Sequence, residues 1–350
     1  VSSQGVAPNG PGVVPREGEH PVSLHRGVPV AEATRRDRCG AEVVEAVHAA
    51  HLVVTGEDGE VLASLGDAEV TTYIRSAAKP FQATACLEVL DAFGDEERHP
   101  SARELAVAWA SHRGEPRHLE AVTALLSRSG TAPDDLTCPA AVPEAAPGAP
   151  VARFQHNCSG KHALFALAGR ALGVDRSTLL DPDGELQRRV LALLAEELGP
   201  PRAVGVDGCG APAVTAPLRR LAGAFAAVAT QPRYARVRAA GLAHPGLVGG
   251  EGRLESALLG AGVVAKPGAE GVFGAGWRAA DGGARGLALK AVDGASRGVA
   301  EAVIASLTTL EIVPVGTWAS PPPLGGGAPV GTIRRTPEVA SLARVLAGRV

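Results

Sequence analysis

His51-Leu52-Val53-Val54-Thr55-Gly56-Glu57-Asp58-Gly59-Glu60-Val61-Leu62-Ala63-Ser64-Leu65 reads as two strands joined by a tight turn. Apolar and β-branched residues flank Asp58-Gly59, and the glycine supplies the positive φ such a turn needs. Upstream, Glu42–His48 has strand composition too. Downstream of Ser76 the period changes. Ala77–Leu90 fits a helix that tolerates Pro80 in its first turn. Ala102–Ala110, Pro116–Arg128, Lys161–Leu172, Asp183–Leu198 (with Asp183 as cap) and Ala216–Ala229 are further helices. Gly271–Asp293 returns to short strands and glycine turns. Gly294–Leu307 is helical, Pro314–Gly331 loop and strand, and Pro337–Gly348 a closing helix. The expected fold class is α/β: one sheet assembled from both chain ends, with a helix-rich insertion over roughly 79–230. Residues 1–21, polar and rich in Gly and Pro, read as a disordered tail ahead of a single domain over 22–350.

The chain has 350 residues, 45% hydrophobic and 20% charged, a balance that builds a large core and excludes wholesale disorder. A net charge of −3 with interspersed signs argues against a nucleic-acid partner, which calls for a basic excess. With 3 Trp, 2 Tyr and 6 Phe there is little material for base-stacking platforms. No run approaches the ~18–20 apolar residues of a membrane span. The first residues lack the basic-then-apolar order of a signal peptide, so the expected compartment is the cytoplasm. Five cysteines, an odd and scattered set, disfavour a disulfide framework. Cys86, inside Ala85-Cys86-Leu87, reads as a small buried hydrophobe.

Five stretches carry chemistry-bearing groups. In Arg75-Ser76-Ala77-Ala78-Lys79-Pro80, Ser76 and Lys79 share one face of a helix start, where a neutral lysine can take a hydroxyl proton. A capping serine with an exposed lysine fits the same spacing. Ala110-Ser111-His112-Arg113-Gly114-Glu115 follows an apolar helix as a functional loop or as a plain helix end. His156-Asn157-Cys158-Ser159-Gly160-Lys161-His162 packs imidazoles, amide, thiol, hydroxyl and ammonium into seven residues, a density typical of sites. It lacks the glycine spacing of a phosphate loop. In Val206-Asp207-Gly208-Cys209-Gly210-Ala211-Pro212, Cys209 stands between glycines beside an acid. With Cys158 it has the chemistry for a zinc-like cation, although two separate structural thiols fit equally. The fifth stretch runs from His244-Pro245 through Gly252-Arg253 and Lys266-Pro267-Gly268-Ala269-Glu270-Gly271 to Leu289-Lys290-Ala291-Val292-Asp293-Gly294. Lys290 ends an alternating run, at a position from which it can point into a cleft or simply face water.

In this order, the motifs resemble the bacterial L-asparaginase II family, the rhizobial-type class distinct from the threonine-dependent and Ntn-type enzymes. The resemblance runs from about residue 22 onward, and the His-Asn-Cys-Ser-Gly-Lys-His block is its most specific part. It implies a fold similar to serine β-lactamases and glutaminases, a homodimer, and hydrolysis of L-asparagine to L-aspartate and ammonia. Carried over by position, the two Ser/Lys pairs fall on Ser76 with Lys79 and on Ser111 with Lys290, Lys266 being the fallback for the latter. The zinc ligands fall on Cys158, Lys161 and Cys209. Arg75, His112, Asn157, Asp207 and Arg253 are implied in substrate binding. One departure is Gly252-Arg253-Leu254-Glu255-Ser256, where the family more often has Asp-Thr after the arginine. The Pro-rich loop 139–150 looks long and carries no expected chemistry.

On this reading Ser111 or Ser76 attacks the side-chain amide, a lysine takes the proton, backbone N–H groups near the serine hold the oxyanion, and zinc orients substrate. Glutaminase activity is the near alternative, and a non-catalytic zinc- or amino-acid-binding protein the alternative of another class. A β-lactamase reading lacks the Ser-Asp-Asn and Lys-Thr-Gly partners.

Overall fold

The computed structural model describes residues 26–93 and 99–347. The front of the chain supplies β1 (Val28–Arg36), β2 (Glu42–Gly56) and β3 (Val61–Leu65), then the short β4 (Thr71–Tyr73). Helices follow: α1 (Lys79–Ala92), α2 (Ala102–Ala108), α3 (Pro116–Ser129), α4 (Ser159–Leu172) and α5 (Glu185–Leu198). Two strands, β5 (Val204–Val206) and β6 (Pro212–Pro217), interrupt them before α6 (Leu218–Thr230), α7 (Ala235–Ala243), α8 (Pro245–Val248) and α9 (Leu254–Gly260). The chain returns to strands in β7 (Val264–Gly268), β8 (Val272–Arg278) and β9 (Ala284–Ala291). It ends with α10 (Ser296–Thr309), the small pair β10 (Leu324–Gly325) and β11 (Ala328–Pro329), then β12 (Ile333–Arg335) and α11 (Pro337–Ala347).

The main sheet runs β12-β1-β2-β9-β8-β7, with β3 also paired to β2. At its centre β2 and β9 pair antiparallel, Leu52 opposite Leu289 and Val54 opposite Leu287. A sheet built from both chain ends, expected from the strand-like composition at either end, is thus the observed framework. Its two faces follow the period of two along a strand. Val53 and Ala288 face a core shared with Leu221, Ala222 and Phe225 of α6. Leu52, Val54, Leu287 and Leu289 face a second core, with Ala302 and Val303 of α10. The Asp58-Gly59 hairpin is present, with Gly59 at φ 79°.

Some boundaries differ from the sequence reading. The sheet begins earlier, at β1, which pairs along the first half of β2. Pro212–Pro217 is a strand, so the following helix starts at Leu218 and not Ala216. Gly184, not Asp183, precedes α5, and no side chain caps that helix. Helices continue past residue 230, to Gly260. The tail expected over 1–21 lies outside the described residues.

A second, three-stranded sheet, β4-β6-β5, positions the site. Both β4 and β5 run antiparallel to β6, so both deliver their C-terminal ends at the same edge. The residues that follow them, Arg75 and Asp207, therefore meet: Arg75 Nε lies 2.7 Å from Asp207 Oδ1. Arg75 takes φ 51°, a left-handed conformation uncommon for a side chain of its size. The ion pair helps to hold it there, immediately before Ser76.

Candidate active site

Ser111 sits just past the end of α2, where its backbone N–H donates to the Val248 carbonyl at 3.1 Å. Two buried lysines converge on its hydroxyl. Lys79, at the start of α1, places Nζ 3.1 Å from Ser111 Oγ. Lys266, on the edge strand β7, places Nζ 2.8 Å from the same oxygen. Burial, reinforced by the charge of Lys79, lowers the Lys266 pKa to about 7. A lysine that is substantially neutral near pH 7, beside a serine hydroxyl, is the arrangement that activates serine as a nucleophile. Ser76 opens onto the same cleft as Ser111, about 400 Å³ in volume.

His112 has a different task. Gly114 N–H donates to its Nδ1 at 3.2 Å, so the proton of the neutral ring lies on Nε2, 2.9 Å from Ser159 Oγ. Burial, then neighbouring cationic groups, lowers its pKa to about 3. The ring is held neutral, with both nitrogens engaged. Its backbone N–H donates to the Asn157 carbonyl at 3.2 Å, tying the Ser111 loop to the segment leading into α4. Asn157, Arg253 and Glu255 line the cleft with the two serines.

Behind Asn157 lies a buried cluster of Cys158, Lys161 and Cys209. Lys161 Nζ is 3.1 Å from Cys209 Sγ, and Asp207 Oδ2 is 4.0 Å from that sulfur. The two thiols shift one another: interaction with Cys209 holds Cys158 well below the usual thiol range, and interaction with Cys158, with burial, pushes Cys209 up. Burial opposes the charge on Lys161, yet the sulfurs of Cys209 and Cys158 keep its pKa above the ordinary value. Gly160 makes this geometry possible. A Cβ there would stand 2.2 Å from the Val107 carbonyl oxygen, so α4 seats directly on the backbone of α2 only at glycine.

The profile of the L-asparaginase II family matches residues 35–335, most of the chain and every residue of the site. The chain belongs to the L-asparaginase II family. A search of curated proteins found no match.

Within this asparaginase-type fold the sequence-derived residues divide. Ser76, Ser111, His112, Asn157 and Arg253 share one cleft, with Lys79 on Ser111. Cys158, Lys161 and Cys209 come together beside the Arg75–Asp207 pair. Lys290 is not brought to Ser111. Its Nζ donates to the carbonyls of Glu270 (2.7 Å) and Ala291 (2.5 Å), closing the turn between β7 and β8. Lys290 lies on the inner strand β9, whereas Lys266 lies on the edge strand beside the Arg75–Ala78 turn, so the position expected for Lys290 is filled by Lys266. Among the described residues no cluster of three His, Cys, Asp or Glu side chains stands in a metal-binding arrangement. No helix among them is long and apolar enough to cross a membrane. Glu144, in the Pro-rich loop, also lines the cleft. Only its charge, in a stretch otherwise apolar or small, marks it in the sequence.

Proposed function

We propose that this enzyme hydrolyses L-asparagine to L-aspartate and ammonia with Ser111 as nucleophile. The observation that carries the reading is the meeting of Lys79 and Lys266 on Ser111 Oγ, at 3.1 and 2.8 Å. Neutral Lys266 takes the hydroxyl proton as Oγ adds to the side-chain amide carbon. The resulting ammonium returns a proton to the amide nitrogen, the C–N bond breaks, and ammonia leaves. Water then attacks the acyl ester as its proton passes to Lys266, which returns that proton to Ser111 Oγ as the ester C–O bond breaks and L-aspartate departs. Lys79, as an ammonium, stabilises the alkoxide and the developing oxyanion. Within the Ser111 loop, the N–H groups of Ser111, His112 and Gly114 already bond Val248, Asn157 and His112, so they are not the donors to the oxyanion. Ser76, which lines the cleft, offers a further hydroxyl donor from the first Ser/Lys motif.

For the amino-acid end of the substrate, Arg253 offers a guanidinium to the α-carboxylate, and the buried Glu255 a carboxylate to the α-ammonium. Cys158, Lys161 and Cys209 are the residues that would hold a zinc ion: two sulfurs and an amine in contact, beside an aspartate, suit its preference for N and S donors. Bound there, zinc supplies a fixed positive charge behind Asn157 that helps to orient substrate. The same family reading supports a homodimer, a cytoplasmic enzyme, and kinship of the sheet-and-helix framework with serine β-lactamases and glutaminases.

Glutamine is the second substrate to weigh, since one methylene changes binding by only ~1–3 kcal/mol in a pocket of this kind. Ammonia release from L-asparagine and L-glutamine by the purified protein, with Ser111→Ala as control, tests the proposal. Release from L-asparagine that survives Ser111→Ala would remove Ser111 from its role, and no release from either amide would remove the function.

A further inference from the structure

The Pro-rich loop lines the cleft with Ala141, Val142, Pro143 and Glu144. Ala141 and Ala152 close its base with two reciprocal backbone hydrogen bonds of 3.1 Å. Near the tip, Ala145 N–H donates to the Arg113 carbonyl at 2.9 Å. Pro143 seats on Gly114, where a Cβ would stand 2.3 Å from Pro143 Cβ, and where φ is +75°. This closure brings one acidic side chain to the mouth. Glu144 Oε1 lies 3.2 Å from Arg113 Nε, and Glu144 Oε2 lies 2.5 Å from Arg253 Nη2. A single carboxylate therefore bridges two guanidinium groups, one from the Ser111 loop and one from the start of α9.

An amino-acid amide is a zwitterion at its α-carbon, and its recognition needs one cationic and one anionic receiver. Glu255 lines the cleft as the acidic receiver, whereas Arg253 is already engaged by Glu144. We propose that Glu144 is a built-in competitor for the substrate's α-carboxylate, so that substrate entry exchanges one carboxylate for another on Arg253. The proposal rests on the asparaginase reading of the cleft and on Arg253 as the carboxylate receiver. All three side chains are partly exposed, and ion pairs in that setting are weak enough to exchange. The device also selects substrates. An amide without a neighbouring carboxylate has nothing with which to displace Glu144.

The test is Glu144→Gln, which keeps the shape and removes the charge. kcat/KM for L-asparagine should rise by about 2- to 5-fold, the range an exposed ion pair covers. L-aspartate binding, measured by calorimetry, should tighten by a similar factor, independently of turnover. On an Arg253→Gln background the same substitution should tighten L-aspartate binding no further, because the competition has lost its object. Glu144→Ala should shift binding with the same sign. Weaker or unchanged L-aspartate binding in Glu144→Gln would overturn the proposal, making Glu144 a receiver for the substrate's ammonium or a simple tie for the loop. Wild-type protein that releases no ammonia from L-asparagine would instead overturn the reading beneath it.

Discussion

Lys266 and Ser111, 155 residues apart in the chain, meet at 2.8 Å between Nζ and Oγ. The contact joins an edge strand of the main sheet to the end of a helix in the middle segment. It favours Lys266, the fallback of the sequence reading, over Lys290, which bonds carbonyls instead. Lys266→Met should lower kcat by ~10²–10⁴, the usual range for a proton-transfer group. Lys290→Met should leave turnover within a few-fold of wild type. It should lower stability by ~1–3 kcal/mol, because the Glu270 and Ala291 carbonyls lose their donor. Steady-state kinetics and thermal melts of the two variants check both statements. The reverse ranking would restore Lys290 to the site.

The pH profile follows from the same lysine. With its pKa lowered to about 7, Lys266 is mostly protonated and inactive as a base at pH 6, and mostly neutral at pH 8. kcat/KM should therefore climb through about pH 7 and level off above it. A plateau already reached by pH 6 would contradict a lysine base. His112 cannot supply such a plateau as base, since both its ring nitrogens are engaged. Stability should shift in the same direction. Between about pH 7 and the ~10.4 of an unfolded lysine, the unfolded chain binds a proton that folded Lys266 does not, so this group makes unfolding harder as pH rises. Lys266→Met should remove that slope from denaturant titrations taken at several pH values.

The two serines should separate by covalent chemistry. Both Ser76→Ala and Ser111→Ala are expected to lose most turnover, since groups acting as a unit fail together. Only Ser111→Ala should also lose the aspartyl adduct seen by intact-mass spectrometry after an acid quench. An adduct on Ser76 would exchange their roles.

Metal content offers an independent measure. Cys158→Ser with Cys209→Ser should abolish zinc in the purified protein, as read by elemental analysis. Binding there has to displace protons from a thiol and from the Lys161 ammonium, so zinc affinity should strengthen as pH rises. Chelation should raise KM more than it lowers kcat if the ion orients substrate. Zinc retained by the double variant would place the metal elsewhere.

Gly160→Ala isolates packing from chemistry. The added methyl meets the Val107 carbonyl, a backbone atom with little freedom to move. A loss of ~1–3 kcal/mol is expected, the range typical of overpacking. Zinc content should fall with it, because α4 carries Lys161 on its first turn. A variant with wild-type melting and metal content would show that the helices can part there at no cost.

Local motifs were legible in the sequence because their chemistry is dense. The seven residues from His156 to His162 contain both Cys158 and Lys161 of the buried cluster, and Ser76 with Lys79 lies at a helix start as read. The sheet's dependence on both chain ends was legible too, from strand composition on either side of a helical run. What escaped was pairing over distance. Lys79 extends to Ser111, not merely alongside Ser76, and Lys266 takes the position expected for Lys290. Nothing local records which of two strands lies next to a helix terminus. β1 escaped for another reason: Val28–Arg36 has little apolar alternation of its own, and its strand form comes from pairing with β2. Glu144 escaped because a loop rich in Pro and Gly gives no period from which to place a side chain.

The joint between β2 and β9 has a consequence for how the chain comes to life. A nascent polypeptide that has left the ribosome only as far as α9 already holds Ser76, Lys79, Ser111 and the thiol cluster, yet not β9, which pairs with β2, nor β7 and β8 beyond it. Lys266 arrives with β7, and that strand is fixed only once β8 and β9 pair behind it. Ser111 thus lacks its contact with Lys266 until synthesis has passed β9. Pairings between such distant segments are slow to form. Activity should accordingly appear as a late, all-or-none event in refolding, trailing the recovery of helical signal.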